Sequence, residues 1–289
     1  MPIRVTTQKQ MNDIRHAQQA CYLCSHPLPS KDQVGRRQLL VKEHVIPSSL
    51  LGPPPARGAW PVVLWIHKDC EVAHKQWRDR MIKVLQGLGS TSPQDWKRED
   101  ASFFRSRFGL KRLSLSRGRR SPVITGVMPV LEGVHAWTRG LYTALYGDVL
   151  PAAVHELTHP PVPFATVRHG QTLQQSQRLR ATITDQLLGS MSNVITRGND
   201  DRLVAWGGAV NFHCVWLEDV NASLDRWICV WCLSLPGALE WAEHTTGIAR
   251  PWHGVLGLPT RPHNASVVSF DELRQFRRQI ELRKRYGLA

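Results

Sequence analysis

The chain has 289 residues, 42% hydrophobic and 21% charged, globular proportions that exclude a disordered or collagen-like chain and leave room for two domains. Its 37 Lys and Arg against 23 Asp and Glu leave a net charge of +14, which points to a polyanionic partner, either nucleic acid or an acidic membrane face. No apolar run approaches the roughly 18 residues of a membrane helix, Met1 to Ala20 holds no signal core, and six cysteines are too sparse for a secreted disulfide scaffold, so a cytoplasmic protein with reduced thiols is expected.

In chain order, Gln38 to Lys42 reads as a short strand and Pro61 to Ile66 as a second, rich in β-branched and aromatic residues. Between them Gly52-Pro53-Pro54-Pro55-Ala56-Arg57-Gly58 must be a surface loop, because proline removes donors and glycine loosens the backbone. Asp69 to Gln86 has helical spacing, with Gly87 and Gly89 as a stop. Ser92-Pro93-Gln94-Asp95 opens another helix, whose tail runs into the basic segment Arg105, Arg107, Lys111, Arg112, Arg117, Arg119 and Arg120. That segment suits a junction or a strap facing nucleic acid, and equally a solvated linker.

Beyond it, helices are expected at Leu131 to Tyr146 and Gln171 to Leu188, and an antiparallel strand pair at Leu203 to Leu217 and Arg226 to Leu235. Ser269-Phe270-Asp271-Glu272 is a capping box that starts a basic terminal helix. The tryptophans here read first as core, Trp206 included, although beside Gly207-Gly208 it has the chemistry to stack on a base. Cys229 and Cys232 lie three apart on one strand and therefore on opposite faces, which suits buried inert thiols better than a metal.

The chemistry concentrates near the N-terminus. Cys21-Tyr22-Leu23-Cys24 and His67-Lys68-Asp69-Cys70 are two pairs of soft ligands at the same spacing, and together they offer zinc three thiolates and one imidazole. Between them stands Lys42-Glu43-His44-Val45-Ile46-Pro47, an acid and a histidine at a strand end.

Over about residues 18–86 this order resembles the HNH endonuclease family, whose zinc-bearing members run CxxC, an acid with His and a following Pro, and a second knuckle leading into a helix. The resemblance implies an HNH-like ββα-metal domain over 1–89 with structural Zn2+; the residues beyond it read as a basic helix and linker over 90–121 and a mixed α+β domain over 122–289 that selects or positions substrate, so the whole chain is expected to be α+β. The resemblance also implies hydrolysis of DNA phosphodiesters, double-stranded DNA first, with His44 as general base. Glu43 and either Glu71 or His74 would hold a catalytic Mg2+ or Mn2+, which offsets charge at the scissile phosphate. Glu71 takes the aligned position; His74 lies one turn on. The chain departs from the family in having no asparagine between His44 and His74 and in using His67 where cysteine is usual.

Phosphate-directed charge serves RNA as well as DNA. Two other readings therefore stand beside the nuclease: a weak or inactive nucleic-acid-binding protein, and a nuclease effector of a bacterial defence or mobile-element assembly gated by a protein partner. The partners open to the chain are DNA or RNA, a protein and a second copy of itself, with no membrane among them. The segment from His135 to Pro151 loosely resembles one that follows the nuclease unit in some bacterial HNH proteins.

Overall fold

The computed structural model describes residues 3–30, 33, 35–55, 58–75, 78–79, 113–117, 122–126, 130–150, 164–168, 200–218, 227–234, 252–258, 260–269, 271–272 and 275. The helices expected at Ser92 and at Gln171 to Leu188 lie outside these residues, as do Arg105, Arg107, Lys111, Arg112, Arg119 and Arg120.

The chain opens with β1 (Ile3–Arg4) and α1 (Gln8–Ala17). Thr7 caps α1 by accepting from the Gln10 amide while the Gln10 side chain accepts from the Thr7 amide, a reciprocal cap that satisfies two otherwise unpaired donors. A single helical turn, α2 (Arg36–Leu39), precedes β2 (Leu40–His44). The strand therefore starts two residues later than the sequence suggests and runs on to His44. Gly35, at φ 80°, turns the chain, and the Gln38 amide donates to the Gly35 carbonyl at 2.8 Å. The partner strand has also ended: Leu40 faces His67, the last residue of β3 (Val63–His67).

Between β2 and β3 lie the turn α3 (Ser48–Leu51) and the exposed residues Gly52 to Pro55 and Gly58 of the expected loop. After β3 the backbone is helical at 68–75 and 78–79, which forms α4. In the basic segment β4 (Leu113–Arg117) pairs with β5 (Pro122–Gly126), so Arg117 stands on a hairpin strand.

α5 (Val130–Tyr146) follows. A six-stranded sheet then runs in the order β1-β7-β8-β9-β10-β6, with β6 (Phe164–Arg168), β7 (Asp201–Ala205), β8 (Val210–Glu218), β9 (Trp227–Ser234) and β10 (Trp252–Leu258). The edge strands β1 and β6 pair parallel and the rest antiparallel. The single strand expected at Leu203 to Leu217 is instead two, β7 and β8, folded back at Trp206-Gly207-Gly208. Gly207 and Gly208 take φ of 64° and 96°, which only glycine adopts without cost, and so reverse the chain. The expected β8–β9 antiparallel pair is present.

Trp206 itself sits at φ 51°, an unfavourable conformation for a bulky residue. Burial offsets it: the indole Nε1 donates to the Leu51 carbonyl at 3.1 Å and the backbone amide donates to Trp60. Trp206 is thus a core residue rather than a base-stacking one, and it ties the turn between β7 and β8 to the segment between β2 and β3.

One hydrophobic cluster joins Met11 and Ile14 of α1, Leu64 and Ile66 of β3, Trp137 and Leu141 of α5, and Phe212, Trp216 and Trp231 of the sheet. A polar clamp crosses it. Buried Asp201 accepts from Tyr146 Oη (2.8 Å) and from the amide and hydroxyl of Ser266, while Trp216 Nε1 donates to Tyr146 Oη at 2.9 Å. Ser269 and Glu272 cap one another as their motif predicts. Among the described residues no helix is long and apolar enough to cross a membrane.

α5 approaches the end of β2 at Gly140, where an added Cβ would lie 2.5 Å from Val45 Cγ1. Gly140→Ala gains about 1 kcal/mol of helix propensity but overpacks this contact at a cost of about 1–3 kcal/mol. Urea denaturation should show a net loss of stability. Adding Val45→Ala should give a double variant at least about 1 kcal/mol more stable than the sum of the two single changes predicts.

Candidate metal centre

The first knuckle is a tight backbone turn. Ala20 bridges to Pro27, the Cys21 amide donates to the His26 carbonyl (2.9 Å), and the Ser25 amide donates to the Cys21 carbonyl (2.8 Å). Ser25 takes φ 63°, which curls the chain so that both cysteines face inward. The second pair straddles the passage from β3 into α4: His67 ends the strand and Cys70 lies in the first helical turn.

The four ligand atoms of Cys21, Cys24, His67 and Cys70 all lie within 4.8 Å of one another, and among the described residues they are the one such group of three or more His, Cys, Asp or Glu side chains. A zinc tetrahedron with arms of about 2.3 Å has edges of about 3.8 Å, so only a small contraction is needed. His67 is already oriented for it. Its Nε2–H donates to the Pro27 carbonyl at 3.2 Å, which leaves the Nδ1 lone pair directed at the cluster, 3.3 Å from Cys24 Sγ. An outer hydrogen bond of this kind is the usual partner of a metal-bound histidine.

The thiols show what an ion would supply. Burial raises the Cys21 pKa, against backbone hydrogen bonds from His67, Cys24 and Leu23 that favour the thiolate. Burial and the neighbouring Cys21 and Cys24 raise that of Cys70 as well. A cation at the cluster would offset both effects, and the donor set fits Zn2+ in a closed, structural site.

Arg139 completes the surroundings. From α5 its Nε donates to the Tyr22 carbonyl (2.7 Å) and its Nη2 to Ser25 Oγ (2.8 Å), and Ser25 Oγ donates in turn to the Leu150 carbonyl. Burial lowers its pKa to about 10, while Cys21 and Cys24 favour the charged form. Three thiolates, one imidazole and Zn2+ sum to −1, and the guanidinium is the matching cation. The sequence holds a signal for this residue, an arginine inside the otherwise apolar Ala136-Trp137-Thr138-Arg139-Gly140-Leu141, but nothing local says what it faces.

The residues assigned to hydrolysis divide between two faces of the β2–β3 hairpin. Register places Glu43 opposite Leu64, and His44 opposite Val63. Side chains alternate along a strand, so Glu43 faces inward beside the fully buried Leu64 and Ile66, while His44 shares the outward face with Lys42 and Trp65. Glu43 is buried and ion-paired with Arg78 of α4, a residue the motif reading did not single out. Glu71 and Asp79 also act on the Arg78 charge.

His74 lies on the same side, its pKa lowered to about 4 by burial and by Arg78. Glu43, Glu71 and His74 thus share the electrostatic surroundings of Arg78, but they and His44 do not converge on a common point as the zinc ligands do. The guanidinium engages the Glu43 carboxylate here, so a divalent ion bound at Glu43 would have to displace Arg78.

Comparison with protein-family models, curated proteins and solved structures finds no match.

Purified protein should carry one zinc per chain, and Cys24→Ser should abolish its retention. Arg139→Met should weaken retention by about 10-fold against a competing chelator, since outer-shell partners typically contribute 10–100-fold. A second expectation concerns His74. Its folded pKa lies below the ordinary imidazole value of about 6.5, so on acidification the unfolded chain takes up the proton first. Stability on the order of 3 kcal/mol, full above about pH 6.5, should be lost as pH falls toward 4. Urea midpoints across this window should fall for wild type and fall less for His74→Gln.

Proposed function

We propose that the chain is a metal-dependent nuclease of the HNH kind that hydrolyses phosphodiesters in DNA, with His44 taking the proton from the attacking water. The observation that carries this reading is the four-ligand cluster that closes a strand–loop–strand–helix unit whose first strand ends in Glu43-His44. A net charge of +14 supplies the attraction for a phosphate backbone. His44 is half-buried at the end of β2, next in the chain to Val45, which packs against Gly140 of α5.

The Glu43–Arg78 pair favours a second reading. An acid needed for a catalytic ion is already neutralised, and the proposed base points to the other face; a protein that keeps the zinc unit for shape and binds nucleic acid without cutting it satisfies both facts.

The test is cleavage of supercoiled plasmid by zinc-loaded protein with Mg2+, Mn2+ or no added divalent ion. The nuclease reading expects metal-dependent nicking that His44→Ala reduces about 100-fold or more, with zinc content and DNA binding unchanged. Equal binding by both proteins with no cutting by either favours the second reading.

A further inference from the structure

The outward face of the β2–β3 hairpin carries a feature that neither the zinc centre nor the Glu43–Arg78 pair uses. Trp65 is half-buried there, with Lys42 Nζ 5.5 Å and the Arg15 guanidinium 5.9 Å from its ring centre. Beside it opens a depression of about 470 Å3, lined by His16, Gln33, Arg36, Gln38, Leu40 and Trp65. That volume lies within the range of about 300–1,000 Å3 for sites that hold small organic ligands.

Among the described residues the charged side chains that line it or flank Trp65 are of one sign. Among the described residues Arg15, Arg36 and Lys42 have no carboxylate at ion-pair distance, and Arg15 bonds only the neutral amide of Asn12. Glu43, the acid of β2, is turned to the opposite face. Three cations with no carboxylate partner among the described residues, an aromatic wall and two glutamine amides make a site for a ligand that is flat, polar at its edge and joined to phosphates.

From this we infer that the face binds an unpaired stretch of polynucleotide, with one base seated against Trp65 in the depression and the flanking phosphates held by Arg15, Arg36 and Lys42. A duplex hides the faces of its bases, so only an unpaired nucleotide stacks on the indole. The glutamines offer donors and acceptors to the edge of the seated base. Because His44 shares this face, the bound strand runs past it, and to that extent the inference rests on the nuclease reading.

The experiment measures binding apart from cleavage. Zinc-loaded full-length protein, without added divalent ion, is titrated into labelled oligothymidylate, oligouridylate and a duplex, with anisotropy followed over a range of salt. Trp65→Leu should weaken single-strand binding by about tenfold and duplex binding much less, whereas Trp65→Phe keeps a stacking face and should restore most of the affinity. Arg15→Gln/Arg36→Gln/Lys42→Gln should reduce the salt slope on single strands by about 2, the value for three phosphate contacts.

The two single-stranded arms decide between DNA and RNA. Wild-type affinity and salt slope in these variants at unchanged zinc content would overturn the inference, as would an equal loss in Trp65→Phe and Trp65→Leu, or binding to anionic lipid vesicles but to neither oligonucleotide. If the variants bind normally while wild type still cuts plasmid, the face is wrong and the nuclease reading survives. If wild type binds through this face but never cuts, the face stands and the nuclease reading falls.

Discussion

The convergence of Cys21, Cys24, His67 and Cys70 is the constraint on which the N-terminal half depends. The two knuckles are 43 residues apart at their nearest, joined by β2, α3, a proline-rich loop and β3, and only a bound cation holds their four ligands to one point. Zinc at such a site supplies folding free energy directly, apparent values in small zinc peptides being about 10–16 kcal/mol. His67 ends β3 opposite Leu40, and Cys70 lies in the first turn of α4, so the cluster sits where the β2–β3 hairpin passes into the helix.

The cluster does not stand alone. Arg139 reaches it from α5, and α5 lies against the sheet through Tyr142, Tyr146 and Trp216. A buried guanidinium is costly unless it meets negative charge and accepting oxygens, and the knuckle provides both: thiolate sulfurs, the Tyr22 carbonyl and the Ser25 hydroxyl. At the other end of α5, Tyr146 meets Asp201, which is further held by Ser266. One helix therefore links a metal-dependent turn to a hydrogen-bonded sheet, and through Gly140 it also presses on the strand that carries His44.

The hairpin consequently has two chemically different sides. Inward lie a paired acid, Glu43 with Arg78, and a histidine kept neutral by burial, His74. Outward lie His44, Lys42 and Trp65, with Arg15 and a depression beside them. Residues adjacent in the motif are separated by the pleat, and residues far apart in the chain are brought to one face. A functional account of this protein has to respect that partition.

Features written in local spacing were legible in the sequence: the two ligand pairs, α5, the β8–β9 pair and the Ser269–Glu272 cap. The Thr7–Gln10 cap was written there too, but no apolar run follows it strongly enough to draw attention to α1. The strand boundaries at Leu40 and Ala205 were not legible, because they depend on where a partner strand ends and on two glycines taking positive φ. Nor were Arg78 and Arg139, since an arginine on a helix gives no sign of the carboxylate or carbonyl it will meet. The sequence by itself determined which donors zinc would have, because ligand chemistry and two-residue spacing are local properties. Only the tertiary structure decided that Glu43 pairs with Arg78 while His44 shares the opposite face with Trp65, because strand register and helix packing set those placements, and both are fixed by contacts between distant parts of the chain.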